Sequence, residues 1–376
     1  MIPSTSARHR RAESLLALFA RQQKAGLFPG GQLVVTRRHE ILAEATVGIA
    51  RGLRTGGRAG GEARPPVTAE TRFQVMSASK AVVAFAVALL EDRGLVDVAA
   101  PVARYFPAFA ANGKDAITLL DVLTHRSGLL AEAQVQNPEL WSDWDALLAA
   151  IAAAKPERPR GTLSYGSHAF GWICGEIVRR VSGRALPEFL GEELGNDLGG
   201  LDFMAAPGAP PAAETYWLGR ASYRLGGVDL PPTFEHDNNE ISAHRALVPG
   251  GGMLTTARAL AAFYEMLLAG GVVRSGRRLL REETLHRYLT VQTTGIEPLS
   301  GAYVRLGRGF ALGWPLPHPY GWWRSGRCFG HAGGFSCIAF ADPDAAVAVA
   351  ILTNGNRSLP EMVRRFAPLA SRARRL

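Results

Sequence analysis

An α+β fold, an antiparallel sheet flanked by helices with a mostly helical second lobe, is what the order of patterns along these 376 residues predicts. Two observations carry it. β-like runs are confined to the two ends of the chain, and helical spacing dominates the stretch between them. Terminal segments that share one sheet leave the middle inserted beside it, so a site is expected where the two parts meet. The sheet lobe is expected at about 10–76 plus 300–376, and the helical lobe at about 77–299, of one unit spanning 1–376.

The elements follow in order. Residues 10–26 have the spacing of an amphipathic helix and run into Pro29-Gly30-Gly31. QLVVTRR and EILAEATVG read as a hairpin. The segment RGLRTGGRAGGEARPP has the glycine content of a surface loop, and RFQV is a short strand-like run. Helical spacing then recurs at 78–93, 117–125, 144–154, 168–182, 185–194 and 255–269, with the proline-rich APGAPPAAE dividing the region. β-like runs return at GFALGW, FSCIAFAD and AAVAVAILTN, and His331-Ala332-Gly333-Gly334 is read as the start of such a run. A last amphipathic helix is expected around 358–372.

Composition narrows the function classes. With 47% hydrophobic residues the chain can bury a large core, which excludes a disordered or fibrous protein. The formal charge of +9 invites a nucleic-acid reading. The basic residues are nevertheless scattered in small clusters with no basic stripe interleaved with aromatics, so a solvated arginine-rich surface is the reading and no nucleic-acid partner is expected. The 3 cysteines, Cys174, Cys328 and Cys337, are odd in number and lack metal-type spacing, which suits reduced thiols. LLALFA is too short for a secretory core, and no apolar stretch is long enough to cross a bilayer. The expectations are a cytoplasmic protein, no membrane partner and an oligomeric state left open.

Lysine usage points to chemistry. The chain has only Lys24, Lys80, Lys114 and Lys155, and only Lys80 has a serine three residues before it, in MSASK. If a helix starts near Ser77, the two side chains share a face and the amine reaches the hydroxyl. The following AVVAFAVALL would desolvate that amine, lower its pKa and turn a cation into a base for a serine nucleophile. Tyr165 precedes a strong helix in GTLSYGSHAFGWICGEIVRRVSG and could bring a phenol beside Ser77.

MSASK, LLDVLTHRSGLL, the Tyr165 segment, VPGGGMLTTARALAAFYEMLLAGG and FGHAGGFS follow one another in this order. The chain thereby resembles the serine β-lactamase and penicillin-binding-protein-like superfamily, and among its branches the class C β-lactamase-related carboxylesterases, from about residue 10 to 372. The resemblance implies one catalytic unit with Ser77 as acylated nucleophile, Lys80 as its base partner and Tyr165 as proton relay. It also implies an oxyanion hole from the amides of Ser77 and Gly334, and no cofactor. Which of Lys80 and Tyr165 is the base stays open.

Two departures from the family pattern bear on substrate. Tyr-x-Asn is replaced by Tyr165-Gly166-Ser167, which loses an amide, and the lysine of the third motif is replaced by His331. A histidine is largely neutral near pH 7, so the expectation moves from β-lactams toward neutral esters. Ser167, His331, Gly333 and Trp314 are the expected substrate-binding residues. Acyl transfer, amide, peptide or β-lactam hydrolysis, and a non-catalytic ligand-binding descendant are the alternatives.

The remaining candidates have plainer readings. His125 is architectural and His168 contacts neighbouring backbone. Trp314, Tyr320, Trp322 and Trp323 could line an acyl pocket or simply pack a hairpin, and Trp141 and Trp144 favour packing. Pro249-Gly250-Gly251-Gly252 lacks the Gly-Lys-Ser/Thr of a phosphate loop and is read as a tight turn. No spacing suggests a metal site, His39-Glu40 included, and no Gly-x-Ser-x-Gly elbow offers a competing serine.

Overall fold

The first hairpin turns on Arg38 and His39, whose φ values of 49° and 65° are left-handed, the backbone that a two-residue type I′ turn requires. It joins β1 (Gly30–Arg37) to β2 (Glu40–Gly48). The computed structural model describes residues 5–53, 64–135, 137–205, 209–218, 224–225, 228–229, 239, 245–298, 301–322 and 326–376. Parts of the glycine- and arginine-rich segment, part of APGAPPAAE, and Trp323 lie outside them.

Helix α1 (Thr5–Lys24) precedes the hairpin, and the middle of the chain is mainly helical: α2 (Ser79–Asp92), α3 (Leu119–Leu123), α4 (Glu132–Val135), α5 (Trp144–Ala153), α6 (Ala169–Ser182), α7 (Leu186–Leu194) and α8 (Ala257–Leu268). Local signals set several of the ends. Thr118 and Asp121 form a capping box before α3, and Gly183 with φ 73° closes α6. Short strands accompany the helices. β3 (Phe73–Gln74), β8 (Leu254–Thr255) and β4 (Leu201–Asp202) pair in that order, and β6 (Arg224–Leu225) pairs with β7 (Val228–Asp229).

The principal sheet has eight strands in the order β2-β1-β14-β13-β12-β11-β10-β9, all antiparallel. Its later members are β9 (Thr293–Ile296), β10 (Tyr303–Leu306), β11 (Ala311–Leu312), β12 (Phe329–Gly333), β13 (Cys337–Asp342) and β14 (Val347–Thr353). β5 (Tyr216–Trp217) pairs in parallel with β15 (Gly355–Asn356), which precedes the closing helix α10 (Leu359–Ala373).

Alternation along β14 explains the layers. Val347, Val349 and Ile351 join Leu15 and Phe19 of α1 and Met362, Phe366 and Leu369 of α10 in one core. Ala348, Ala350 and Leu352 face the other way, into a larger core shared with α2, α6 and α8. Alanines on that face leave room for a helix to lie close, and α8 packs there across β14, β1 and β13.

Three elements were not legible as such. Helix α9 (Glu282–Leu289) and strands β9 and β10 lie in a stretch where charged residues and glycines blur the period. His331-Ala332-Gly333 does not begin a strand, contrary to the sequence expectation. It ends β12, and the chain turns at Gly334 and Phe335 into β13. Two glycines in a row end that strand more readily than they begin another.

Candidate active site

Ser77 stands in a single 3₁₀ turn, Met76–Ala78, immediately before α2. In a 3₁₀ turn residues i and i+3 nearly eclipse, which brings the pair closer than an α-helical start would. Met76 has a left-handed φ of 46°. The buried Ser79 hydroxyl holds the turn, donating to Met76 O at 2.6 Å and accepting from Met253 N at 3.2 Å. Residues Ser79 through Leu90 of α2 are all buried. Burial of each Val, Leu or Phe there contributes about 1.5–3 kcal/mol, so the N-terminus of α2 is a fixed platform.

Lys80 is fully buried, with Nζ 3.0 Å from Ser77 Oγ and donating to Gly250 O at 2.7 Å. Burial lowers its pKa to about 7, so a large fraction of the amine is neutral at physiological pH. The second partner, Gly250, lies in the glycine run that reads from sequence only as a turn. That turn crosses α6 at Gly171, where a Cβ would lie 2.0 Å from Gly250 N. Sequence reasoning gave Gly250 no role beyond that turn, and the Pro-Gly-Gly-Gly run was the one signal that pointed to it.

The Tyr165 side chain lies beside Ser77, close enough for the hydroxyl to lower its pKa, and Lys80 Nζ lies 5.0 Å from its ring centroid. Its ring stacks on His125 at 4.5 Å, and its backbone N–H donates to Glu297 Oε1 at 3.4 Å. Burial raises its pKa, the Ser77 hydrogen bond lowers it, and the Glu297 charge raises it further. The phenol therefore stays protonated near neutrality, whereas Lys80 does not stay fully charged.

Three histidines surround the pair without adding charge. Burial first, and then the Lys80 charge, pushes His331 and His168 each down to about 3. His125 is lowered well below its ordinary value by burial, then by Lys80 and His331. His331 Nδ1 donates to Ala332 O at 2.6 Å. Ser167 Oγ lies 2.7 Å from His168 Nδ1, and His168 is stacked on Trp141 and beside Trp172. The hydroxyl replacing the family's amide is thus engaged with its own neighbour.

The end of β12 closes on the serine turn. A Cβ on Gly333 would lie 1.9 Å from Val75 O, and one on Gly334 2.7 Å from Met76 Cγ. Gly334 also has φ 48°. Glycine at both positions is what allows β12 to approach the Ser77 segment this closely.

The aromatic tract lies elsewhere. Leu312 pairs with Phe329 and Gly313 N donates to Cys328 O, so Trp314 continues past the end of β12 opposite Gly333. The Trp314 ring lies tilted against His318 at 4.3 Å and Tyr320 stacks on Phe340 at 5.1 Å, while Trp322 N donates to Ser371 Oγ. These contacts favour the hairpin-packing reading of Trp314 over the pocket-lining one. Trp144 donates to Glu176 Oε2 at 3.0 Å and is structural, while Trp141 covers His168.

A serine, a buried amine and a phenol thus meet where the start of α2, the Gly250 turn and the end of β12 come together. This chain belongs to the Beta-lactamase family, whose model matches residues 15–374. It is 31% identical over 315 residues to "Esterase/beta-lactamase LipL" of Mycobacterium tuberculosis, covering 77% of this chain and 70% of that protein. A penicillin-binding-protein homologue from Caulobacter crescentus superposes with a TM-score of 0.80 at 27% identity, over 96% of each chain. A family VIII carboxylesterase also gives a TM-score of 0.80 at 27% identity, over 96% of this chain and 97% of its own.

Proposed function

We propose that the protein is a serine hydrolase of neutral carboxylic esters that works as one catalytic unit through an acyl-Ser77 intermediate. The observation that carries this is the 3.0 Å approach of Ser77 Oγ to a buried amine whose pKa is brought to about 7. Neutral Lys80 takes the Ser77 proton as Oγ attacks the ester carbonyl. The amides of Ser77 and Gly334 receive the developing oxyanion. The proton on Lys80 then passes by way of the Tyr165 phenol to the departing alcohol oxygen. In the second half the same groups activate water, which releases the acid and restores the serine.

Substrate charge follows from the electrostatics. With His331 neutral, the third-motif position supplies no permanent cation to hold a carboxylate, which favours uncharged esters over β-lactams. His331 and Gly333 would line the substrate along the end of β12, with Ser167 across the cleft. The likeness to a family VIII carboxylesterase supports the ester class, while LipL is described as both esterase and β-lactamase.

The test is turnover of a chromogenic short-chain ester by the parent and by Ser77→Ala, with intact-protein mass spectrometry to catch the acyl adduct. The variant should be inactive and unmodified. Retained turnover in Ser77→Ala would remove the nucleophile from this reading.

A further inference from the structure

Behind the turn at Gly334 and Phe335, on the side of the sheet that carries α1 and α10, sits a buried arginine. Arg365 of α10 is 2% exposed, and burial lowers its pKa to about 10. Among the described residues, no carboxylate accepts from its guanidinium. Nη1 donates to Leu27 O at 3.1 Å and Gly355 O at 3.0 Å, and Nη2 donates to Phe335 O. A buried guanidinium spent on three backbone carbonyls fixes the position of backbone.

The carbonyl held by Nη2 is the sensitive one. Phe335 has φ 55° and Gly334 φ 48°, and Ser336 N donates to Gly333 O at 2.9 Å, so residues 333–336 form a type I′ turn. Glycine adopts that backbone freely, but phenylalanine does not. The C-terminal side of the turn is further anchored where Thr353 Oγ1 donates to Ser336 O at 2.6 Å. If Phe335 relaxed to a negative φ, the turn would open and the Gly334 amide would swing away from Ser77.

We propose that Arg365 is a positioning residue for the oxyanion hole: by gripping the Phe335 carbonyl from the opposite side of the sheet, it holds a strained turn that aims the Gly334 N–H. The inference rests on the serine-hydrolase reading above. It concerns a residue that touches no substrate, so its effect must appear in the transition state and not in substrate binding.

The experiment uses the full-length protein, with active sites counted by fluorophosphonate titration so that misfolded molecules drop out. In Arg365→Met, kcat per titrated site on p-nitrophenyl butyrate should fall about 10–100-fold, short of or equal to outright loss of an oxyanion donor. KM should change less than about twofold. Inhibition by phenylboronic acid, whose tetrahedral adduct places an oxyanion in the hole, should weaken about as much as kcat. Arg365→Lys keeps the charge without the fork, and a loss of about fivefold per site is expected, which answers the question if the methionine variant does not fold. The double variant R365M/F335G should recover at least about fivefold over R365M, because glycine needs no grip to stay left-handed.

A per-site kcat and boronate affinity within twofold of the parent in R365M, or in R365K where R365M does not fold, would overturn the proposal. So would a double variant no faster than R365M. If the parent itself cannot be titrated by the fluorophosphonate, the serine reading falls and this inference falls with it. A titratable parent that is insensitive at Arg365 sinks the inference alone.

Discussion

Two lysines of this protein are fully buried, and they illustrate opposite uses of the same side chain. Lys114 donates to three backbone carbonyls, Ala111 O at 2.6 Å, Ala152 O at 2.9 Å, and Ala154 O. All three ammonium protons are used, and although burial lowers its pKa, the Glu157 charge acts in the opposite direction. Lys80 has one carbonyl, Gly250 O, and one hydroxyl, Ser77 Oγ. Losing a proton would orphan a carbonyl at Lys114, but at Lys80 it converts a donor to the serine into an acceptor. Burial alone therefore does not make a base. The partner set decides whether a buried amine staples the chain or moves a proton.

The largest expected effect separates the two positions by activity. Lys80→Ala should lower kcat/KM on a neutral ester by about 10²–10⁴-fold, whereas Lys114→Ala should stay within about threefold of the parent for the folded fraction. Comparable losses in steady-state assays at both positions would erase the distinction.

The pH profile sharpens it. The proposed mechanism uses Lys80 without its proton, and burial lowers its pKa to about 7. On the acid side kcat/KM should therefore fall about tenfold per pH unit below that value and level off above it. A rate flat from pH 5 to pH 8 would assign the base elsewhere.

Stability should respond with opposite sign at the two sites. The Lys80 pKa lies near 7 in the fold and near 10.5 as a model amine, so the unfolded chain binds more protons between those values and stability rises with pH across that window. The cost of the buried amine is fully present below about pH 7. Lys80→Met is expected to raise Tm at pH 6, by a gain worth on the order of a few kcal/mol, and to lose that gain toward pH 10.5. Lys114→Met leaves carbonyls unpaired and should lower stability by about 1–3 kcal/mol at pH 6. Thermal melts of both variants at the two pH values read the difference directly, and a Lys80→Met protein less stable than its parent at pH 6 would break the comparison.

Much of the architecture was legible because it is written locally. The helical spacings at 78–93, 168–182 and 255–269 match α2, α6 and α8 to within two residues at either end. The Ser77–Lys80 spacing likewise needs only one turn of backbone. What escaped was long-range. Gly250 meets Lys80 across 170 residues, Arg365 reaches Phe335 from another layer, and the choice between the two readings of Trp314 depends on the β11–β12 register. His331-Ala332-Gly333 ended a strand where it was read as starting one, since a short glycine-rich run carries too few side chains to show its period.

From sequence alone it follows that a serine hydroxyl and a lysine amine share one face of a helix start, because neighbours three residues apart are brought together by backbone geometry. The tertiary structure decided the proton affinity of that amine and the aim of the Gly334 amide. Both depend on groups that the chain delivers from far away: the walls that exclude water around Lys80, and the guanidinium that holds Phe335.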